Sequence, residues 1–199
     1  MITHIIFDNN GVLTTNDDEG TYKAVANYLG TSIKEVISLF DLYVLDLDAG
    51  KISQEEFYSL ILKAGHFKRP IKEFKQIHLD AYKPKPDVQE FVKKLVKKYD
   101  TYLLTNFGDA FWDLFEKWNL DKIFDRSRVF VSSDLKMAKP DSNIYLFVLD
   151  NLKAKPHETI FIDDNSENVV SAENLGIHGI LYKNLSSLIS SLERLGVRI

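Results

Sequence analysis

Four short apolar runs, each followed by a charged or reactive side chain, constrain this chain more than any other feature. Ile2-Thr3-His4-Ile5-Ile6-Phe7 stops at Asp8, and Thr101 to Leu104 leads to Thr105-Asn106. Arg128 to Val131 precedes Lys136 and Lys139, and Thr159 to Ile162 leads to Asp163-Asp164. Runs this short and this apolar suit strands buried on both faces. Between them lie helical stripes: Val88, Phe91, Val92, Leu95 and Val96, then Phe111, Leu114, Phe115 and Trp118, then Ile144, Phe147 and Val148. A helix ending at Gly176, a strand from His178 to Leu181 and a last helix to Leu195 complete the pattern. Strands alternating with helices predict an α/β fold, a mostly parallel sheet with helices on both faces. Ligands of such sheets bind in the crevice outside the carboxyl ends of the strands. The four polar groups are therefore expected to converge there.

The stretch from Thr14 to about Tyr82 departs from this rhythm and is helical throughout. Ser32-Ile33-Lys34-Glu35 and Ser53-Gln54-Glu55-Glu56 both have the form of a capping box, and Gly30 and Gly50 interrupt the segment. Lys83-Pro84-Lys85-Pro86 closes it. The expected division is a Rossmann-like core of residues 1–14 and 83–199, with residues 15–82 forming a small all-helical cap inserted after the first strand.

Composition narrows the function. With 199 residues, 45% hydrophobic and 27% charged, the chain suits one good core plus a modest insertion. No apolar stretch approaches the ~20 residues that span a bilayer, so no membrane role is expected. The first strand begins at once, so neither a signal nor a transit peptide is expected, and the cytoplasm is the expected location. The 0 cysteines leave no disulfide framework and no thiolate site. A formal charge of -4 argues against a nucleic-acid partner, and Lys93-Lys94 with Lys97-Lys98 read as a solvated helix face. Oligomeric state is not legible.

Four segments carry the chemistry: Asp8-Asn9-Asn10-Gly11-Val12-Leu13, Leu103-Leu104-Thr105-Asn106, Lys136-Met137-Ala138-Lys139-Pro140-Asp141 and Phe161-Ile162-Asp163-Asp164-Asn165-Ser166. Singly they are weak, since an Asp after a strand also begins turns and an acidic pair also caps helices. In this order and context they resemble the haloacid dehalogenase-type hydrolases, a superfamily that is mostly Mg-dependent phosphatases. The resemblance covers essentially the whole chain. It is strongest to the branch with a small helical cap that contains phosphatases of sugar phosphates such as glucose 1-phosphate.

The resemblance implies a role for each position. Asp8 is the nucleophile, forming an aspartyl-phosphate that water then hydrolyses. Mg²⁺ is held by Asp8, the backbone carbonyl of Asn10 and Asp164, with Asp163 and Asn168 assisting; a hard cation suits such oxygens. Thr105, through its hydroxyl, and the Asn106 backbone N–H bind phosphoryl oxygens. Lys139 stabilises the charge of the transferring phosphoryl group, with Lys136 as its rival. Pro140 suits the first turn of the next helix and would pin Lys139 at its entrance.

Asn10 breaks the pattern, because most of these phosphatases carry a second aspartate there. An amide cannot exchange a proton usefully near neutral pH, and general acid–base catalysis is worth roughly 10² to 10⁴ in rate. The expectation is a slower phosphatase of small phosphomonoesters, or one whose substrate has a good leaving group. The alternative is a non-catalytic or weakly catalytic phosphate-binding protein. A metal-independent dehalogenase ranks below both, because it leaves Asp163-Asp164 without a task. The five histidines show no metal-ligand spacing, and Trp112 and Trp118 read as packing. Phe107 and Gly108 are candidates for the pocket border, and Asp17, Tyr22, Tyr43 and Asp46 for cap contacts.

Overall fold

In the computed structural model, which describes residues 1–198 apart from the side chains of Asp18 and Glu19, five strands build one sheet. They are β1 (His4–Phe7), β2 (Asp100–Thr105), β3 (Val129–Val131), β4 (Thr159–Asp163) and β5 (His178–Leu181). The order is β3-β2-β1-β4-β5, and every pairing is parallel. Alternation explains the unbroken apolar runs. Ile5, Phe7, Leu103, Ile160 and Ile162 face one buried cluster, while Ile6, Leu104 and Phe161 face another. Both faces are covered, so neither set of alternate side chains has to be polar.

Helices α1 (Tyr22–Leu29), α2 (Ile33–Asp41), α3 (Val44–Asp48), α4 (Gln54–Ala64) and α5 (Ile71–Ala81) make up the insertion after β1. The sheet is covered by α6 (Pro86–Leu95) and a short α7 (Phe111–Phe115), then α8 (Ser132–Leu135), α9 (Ser142–Leu152), α10 (Ser166–Glu173) and α11 (Leu185–Arg194). Val88, Phe91, Val92, Leu188 and Leu192 pack on one face, and Ile144, Val148 and Ala172 on the other.

Local details differ from the sequence reading for identifiable reasons. Strands β2 and β4 each run one residue further than expected, because Thr105 still pairs with Val131 and Asp163 with Leu181. Only Ser53 forms a full capping box with Glu56; Glu35 turns instead to the Thr31 hydroxyl, leaving Ser32 to cap alone. Pro140 does not open a helix. Asp141 caps α9, its carboxylate accepting from the Asn143 N–H at 2.9 Å, so the helix begins after the proline.

The inserted helices enclose their own apolar cluster, centred on Phe40, Phe57, Tyr58 and Phe74. Their two connections to the sheet run side by side. Thr14 and Pro84 form an antiparallel bridge, and the Thr15 N–H donates to the Lys83 carbonyl at 2.8 Å. The insertion touches the other part of the chain near the carboxyl ends of the strands. The Gln54 N–H donates to the Asp109 carboxylate at 2.8 Å, and Lys136 Nζ to the Gly50 carbonyl at 2.6 Å. Among the described residues no helix is long and apolar enough to cross a membrane.

Candidate active site

Strand β1 lies between β2 and β4, so the residues at these three carboxyl ends are neighbours. Asp8 follows β1, and its N–H donates to the Ile162 carbonyl at 2.8 Å, which fixes it beside β4. Thr105 ends β2 and Asp163 ends β4. Lys139 reaches into this gap from the loop after α8. Its Nζ donates to Asp8 Oδ1 at 2.6 Å, to Asp163 Oδ2 at 2.7 Å and to the Leu104 carbonyl at 3.2 Å. Each of Asp8, Asp163 and Lys139 is at most 5% exposed.

Asn106 holds Lys139 in place. Its Oδ1 accepts from the Lys139 N–H at 2.9 Å and its Nδ2 donates to the Lys139 carbonyl at 2.8 Å. This two-point grip on the main chain does what the sequence reading assigned to a helix entrance at Pro140. Lys136 is not a rival, since its ammonium is committed to Gly50.

The two acids after β4 are used differently. Asp163 is saturated: Oδ1 accepts from the Asn165 N–H at 2.8 Å, and Oδ2 from Lys139 and from Asn168 Nδ2 at 3.0 Å. Asp164 accepts from Asn16 Nδ2 at 3.2 Å and lies against Gly11. Gly11 has φ +82°, and a Cβ there would stand 1.9 Å from Asp164 Oδ2. No other residue satisfies both demands.

The electrostatics suit a bound cation. Asp8, Asp163 and Asp164 each offer a carboxylate oxygen within 4.8 Å of the others. Burial pushes the Asp8 carboxyl up to about 8; Lys139 opposes this and Asp163 adds to it. Asp164 is raised too, chiefly by burial. Burial alone would lower the Lys139 ammonium, but Asp163 and Asp8 more than offset it and hold it above its ordinary value. One lysine facing three acids leaves net negative charge in a buried space, and a divalent cation is the group that balances it. The Thr105 hydroxyl, at the neighbouring strand end, is buried without a hydrogen-bond partner among the described residues, an acceptor or donor left over for a ligand.

Asn10 Oδ1 accepts from Asn9 Nδ2 at 2.8 Å and from the Thr14 hydroxyl at 3.2 Å. Its side chain borders a cavity of about 90 Å³ between the helical insertion and the strand ends. Phe107, Gly108 and Asp17 line this cavity, as anticipated. Asp46 does not, being paired with Lys51 at 2.9 Å on the surface. Tyr22 and Tyr43 pack against the apolar cluster of the insertion.

Asp48, Gln54, His78 and Tyr82 also line the cavity, and none of them was legible as a site residue. Gln54 is 3% exposed, and its Nε2 has no hydrogen-bond partner among the described residues. His78 Nδ1 meets the Tyr58 hydroxyl at 2.8 Å, and the Tyr82 hydroxyl lies between His78 Nε2 and the Asp17 carboxylate, to which it donates. His78 lies on α5 and Tyr82 directly after it, and nothing in the local sequence says that either meets the cavity.

Comparison with known proteins agrees with the geometry. The family profile described as haloacid dehalogenase-like hydrolase matches residues 2–176. The bifunctional epoxide hydrolase 2 of Rattus norvegicus is 43% identical over 63 residues, which is 32% of this chain but 11% of that protein. The D-ribitol-5-phosphate phosphatase of Bacteroides thetaiotaomicron is 26% identical over 192 residues, covering 88% of this chain and 89% of the relative. A crystal structure of a HAD family enzyme from Bacteroides thetaiotaomicron, in complex with magnesium and inorganic phosphate, superposes with a TM-score of 0.80. It is 25% identical and covers 94% of this chain and 99% of that one.

Proposed function

The chain belongs to the haloacid dehalogenase-like hydrolases, and from that premise we propose that it is a Mg²⁺-dependent phosphatase of small phosphomonoesters, sugar or polyol phosphates in particular. The observation that carries the reading is the bridge from Lys139 to both Asp8 and Asp163, with Asp164 alongside and the Thr105 hydroxyl unpartnered. Relatives that cover most of the chain point the same way, one named as a phosphatase of a polyol phosphate and one crystallised with magnesium and phosphate.

Residues 15–82 act as the cap and the remainder as the core. Asp8 attacks phosphorus in line with the leaving oxygen, and the phosphoryl group passes to its carboxylate before water releases it. Lys139 and the Thr105 hydroxyl face the phosphoryl oxygens, as does the Asn106 backbone N–H. Asn106 also keeps Lys139 positioned through its side chain. Asp8, the Asn10 carbonyl and Asp164 would hold Mg²⁺, while Asp163 and Asn168 orient their neighbours. The ion supplies charge neutralisation at the phosphoryl oxygens. The small cavity and the unpartnered Gln54 Nε2 favour a compact leaving group bearing hydroxyls over a large flat one.

Asn10 cannot move a proton, so slow turnover of poor leaving groups is expected unless another residue takes that task. A metal-independent dehalogenase leaves Asp164 and its glycine-fitted seat without purpose, and a pure binding role leaves Asp8 over-equipped. The test is turnover of an aryl phosphate with Mg²⁺. Activity should vanish with EDTA and in Asp8→Asn; turnover persisting in either case would refute the proposal.

A further inference from the structure

We propose that Asp48, carried by the last turn of α3, is the general acid and base of the reaction, replacing from across the cavity the carboxylate that Asn10 lacks. This rests on the phosphatase reading above. Four titratable side chains line the cavity: Asp17, Asp48, His78 and Tyr82. Three are tied to one another, because Tyr82 donates to Asp17 and His78 is held between Tyr58 and Tyr82. Burial keeps His78 neutral, with its value pulled down to about 3, and keeps the Tyr82 hydroxyl undissociated. Asp48 is different. Its carboxylate has no hydrogen bond or ion pair among the described residues, yet it shares the cavity with Asn10.

The charges acting on Asp48 are Lys139 from the core and Asp17 from the start of the insertion. Burial dominates and pushes its carboxyl up to about 7, with Lys139 opposing and Asp17 adding. A group near neutrality can both give and take a proton, as acid–base catalysis requires. Lys139 and Thr105 flank Asp8 on the core side. Asn10 and Asn106, the neighbours of these groups in sequence, line the cavity, so a leaving group on the side away from Lys139 would enter it, toward Asp48.

The step balances. As Asp8 forms its bond to phosphorus, the bond from phosphorus to the leaving oxygen breaks. That oxygen keeps the electron pair and takes the proton of the Asp48 carboxyl, leaving as an alcohol. The Asp48 carboxylate then takes a proton from water as the water oxygen attacks phosphorus. The bond to Asp8 breaks, phosphate departs and both aspartates return to their starting forms.

Asp48→Asn tests this, with a primary alkyl phosphate and p-nitrophenyl phosphate compared under saturating Mg²⁺. Because kcat/KM reports the steps up to phosphorylation of Asp8, it should fall roughly 10² to 10⁴-fold for the alkyl ester. For the aryl ester, whose leaving group needs no proton, it should stay within about threefold. The parent's alkyl kcat/KM should decline above pH about 7, where Asp48 loses its proton, and this decline should be absent in Asp48→Asn. Adding Asn10→Asp to Asp48→Asn should restore the alkyl reaction. Equal losses on both esters, no loss on either, or no rescue would overturn the proposal. Should Asp48→Asn melt far below the parent, Asn10→Asp alone decides: a large gain on the alkyl ester would show that no other acid was in place. A parent enzyme inert toward every phosphomonoester would instead refute the phosphatase reading.

Discussion

Gly11→Ala isolates the contact that seats Asp164. The new methyl would lie 1.9 Å from Asp164 Oδ2 and 2.3 Å from its Cγ, against ordinary contacts well above 3 Å, so the carboxylate must move by more than an ångström. Two costs add. Holding a non-glycine residue at φ +82° costs about 1–2 kcal/mol. Losing the Asn16 hydrogen bond to a half-buried carboxylate costs about 1 kcal/mol once solvent screening is allowed for. A total of about 2–3 kcal/mol lowers the Tm of a chain this size by roughly 5–10 °C, read by calorimetry. Displacing the carboxylate should also raise the Mg²⁺ concentration needed for half-maximal aryl phosphatase activity by about 10–100-fold. Placing Gly11→Ala in an Asp164→Ala background removes the steric partner, so only the backbone cost of about 1–2 kcal/mol should remain. Strictly additive losses in that double variant, or an unchanged Mg²⁺ requirement in Gly11→Ala, would refute this account of the site.

Two further outcomes are expected. Lys139→Met leaves Asp8 and Asp163 buried without their cation, so it should destabilise the fold by about 3–5 kcal/mol in urea titrations at neutral pH and abolish phosphatase activity. His78 lies far below its ordinary value in the folded state because burial disfavours its charged form. The unfolded chain therefore binds the extra proton first. The stability that neutral His78 contributes is intact above about pH 6.5 and is lost as pH falls toward about 3. In His78→Gln the melting temperature should fall less steeply over that window, and an identical acid limb would contradict the assignment.

Asp8, Thr105 and the Asp163-Asp164 pair were legible because each stands at or just after a strand end, and a parallel sheet brings strand ends together whatever the connections do. Lys139, set past α8 in the loop beyond β3, was legible only through the motif it shares with the family. The grip of Asn106 on Lys139 was not. It depends on the loop after α8 passing the end of β2, a long-range coincidence that local spacing does not encode. Asp48 and Gln54 were hidden for a similar reason. Each sits at a helix end, where a carboxylate or amide usually meets solvent, and only the docking of the insertion over the strand ends turns them toward the site. The helix expected through Trp118 stops at Phe115, yet Trp118 is still buried, so the apolar stripe reported burial correctly while overstating regularity.

The central position of β1 has a consequence for how the protein is made. His4 pairs with Asp100 on one side and Thr159 on the other, so both neighbours of the first strand are synthesised long after it. On a ribosome adding about 5–20 residues per second, the apolar stretch leading to Asp8 waits many seconds without a partner. The inserted helices, with their own apolar cluster, have all the sequence they need to gather during that interval. Asp8 thus leaves the exit tunnel long before the strands that house it. Until β2 and β4 emerge, this apolar segment is open to a chaperone.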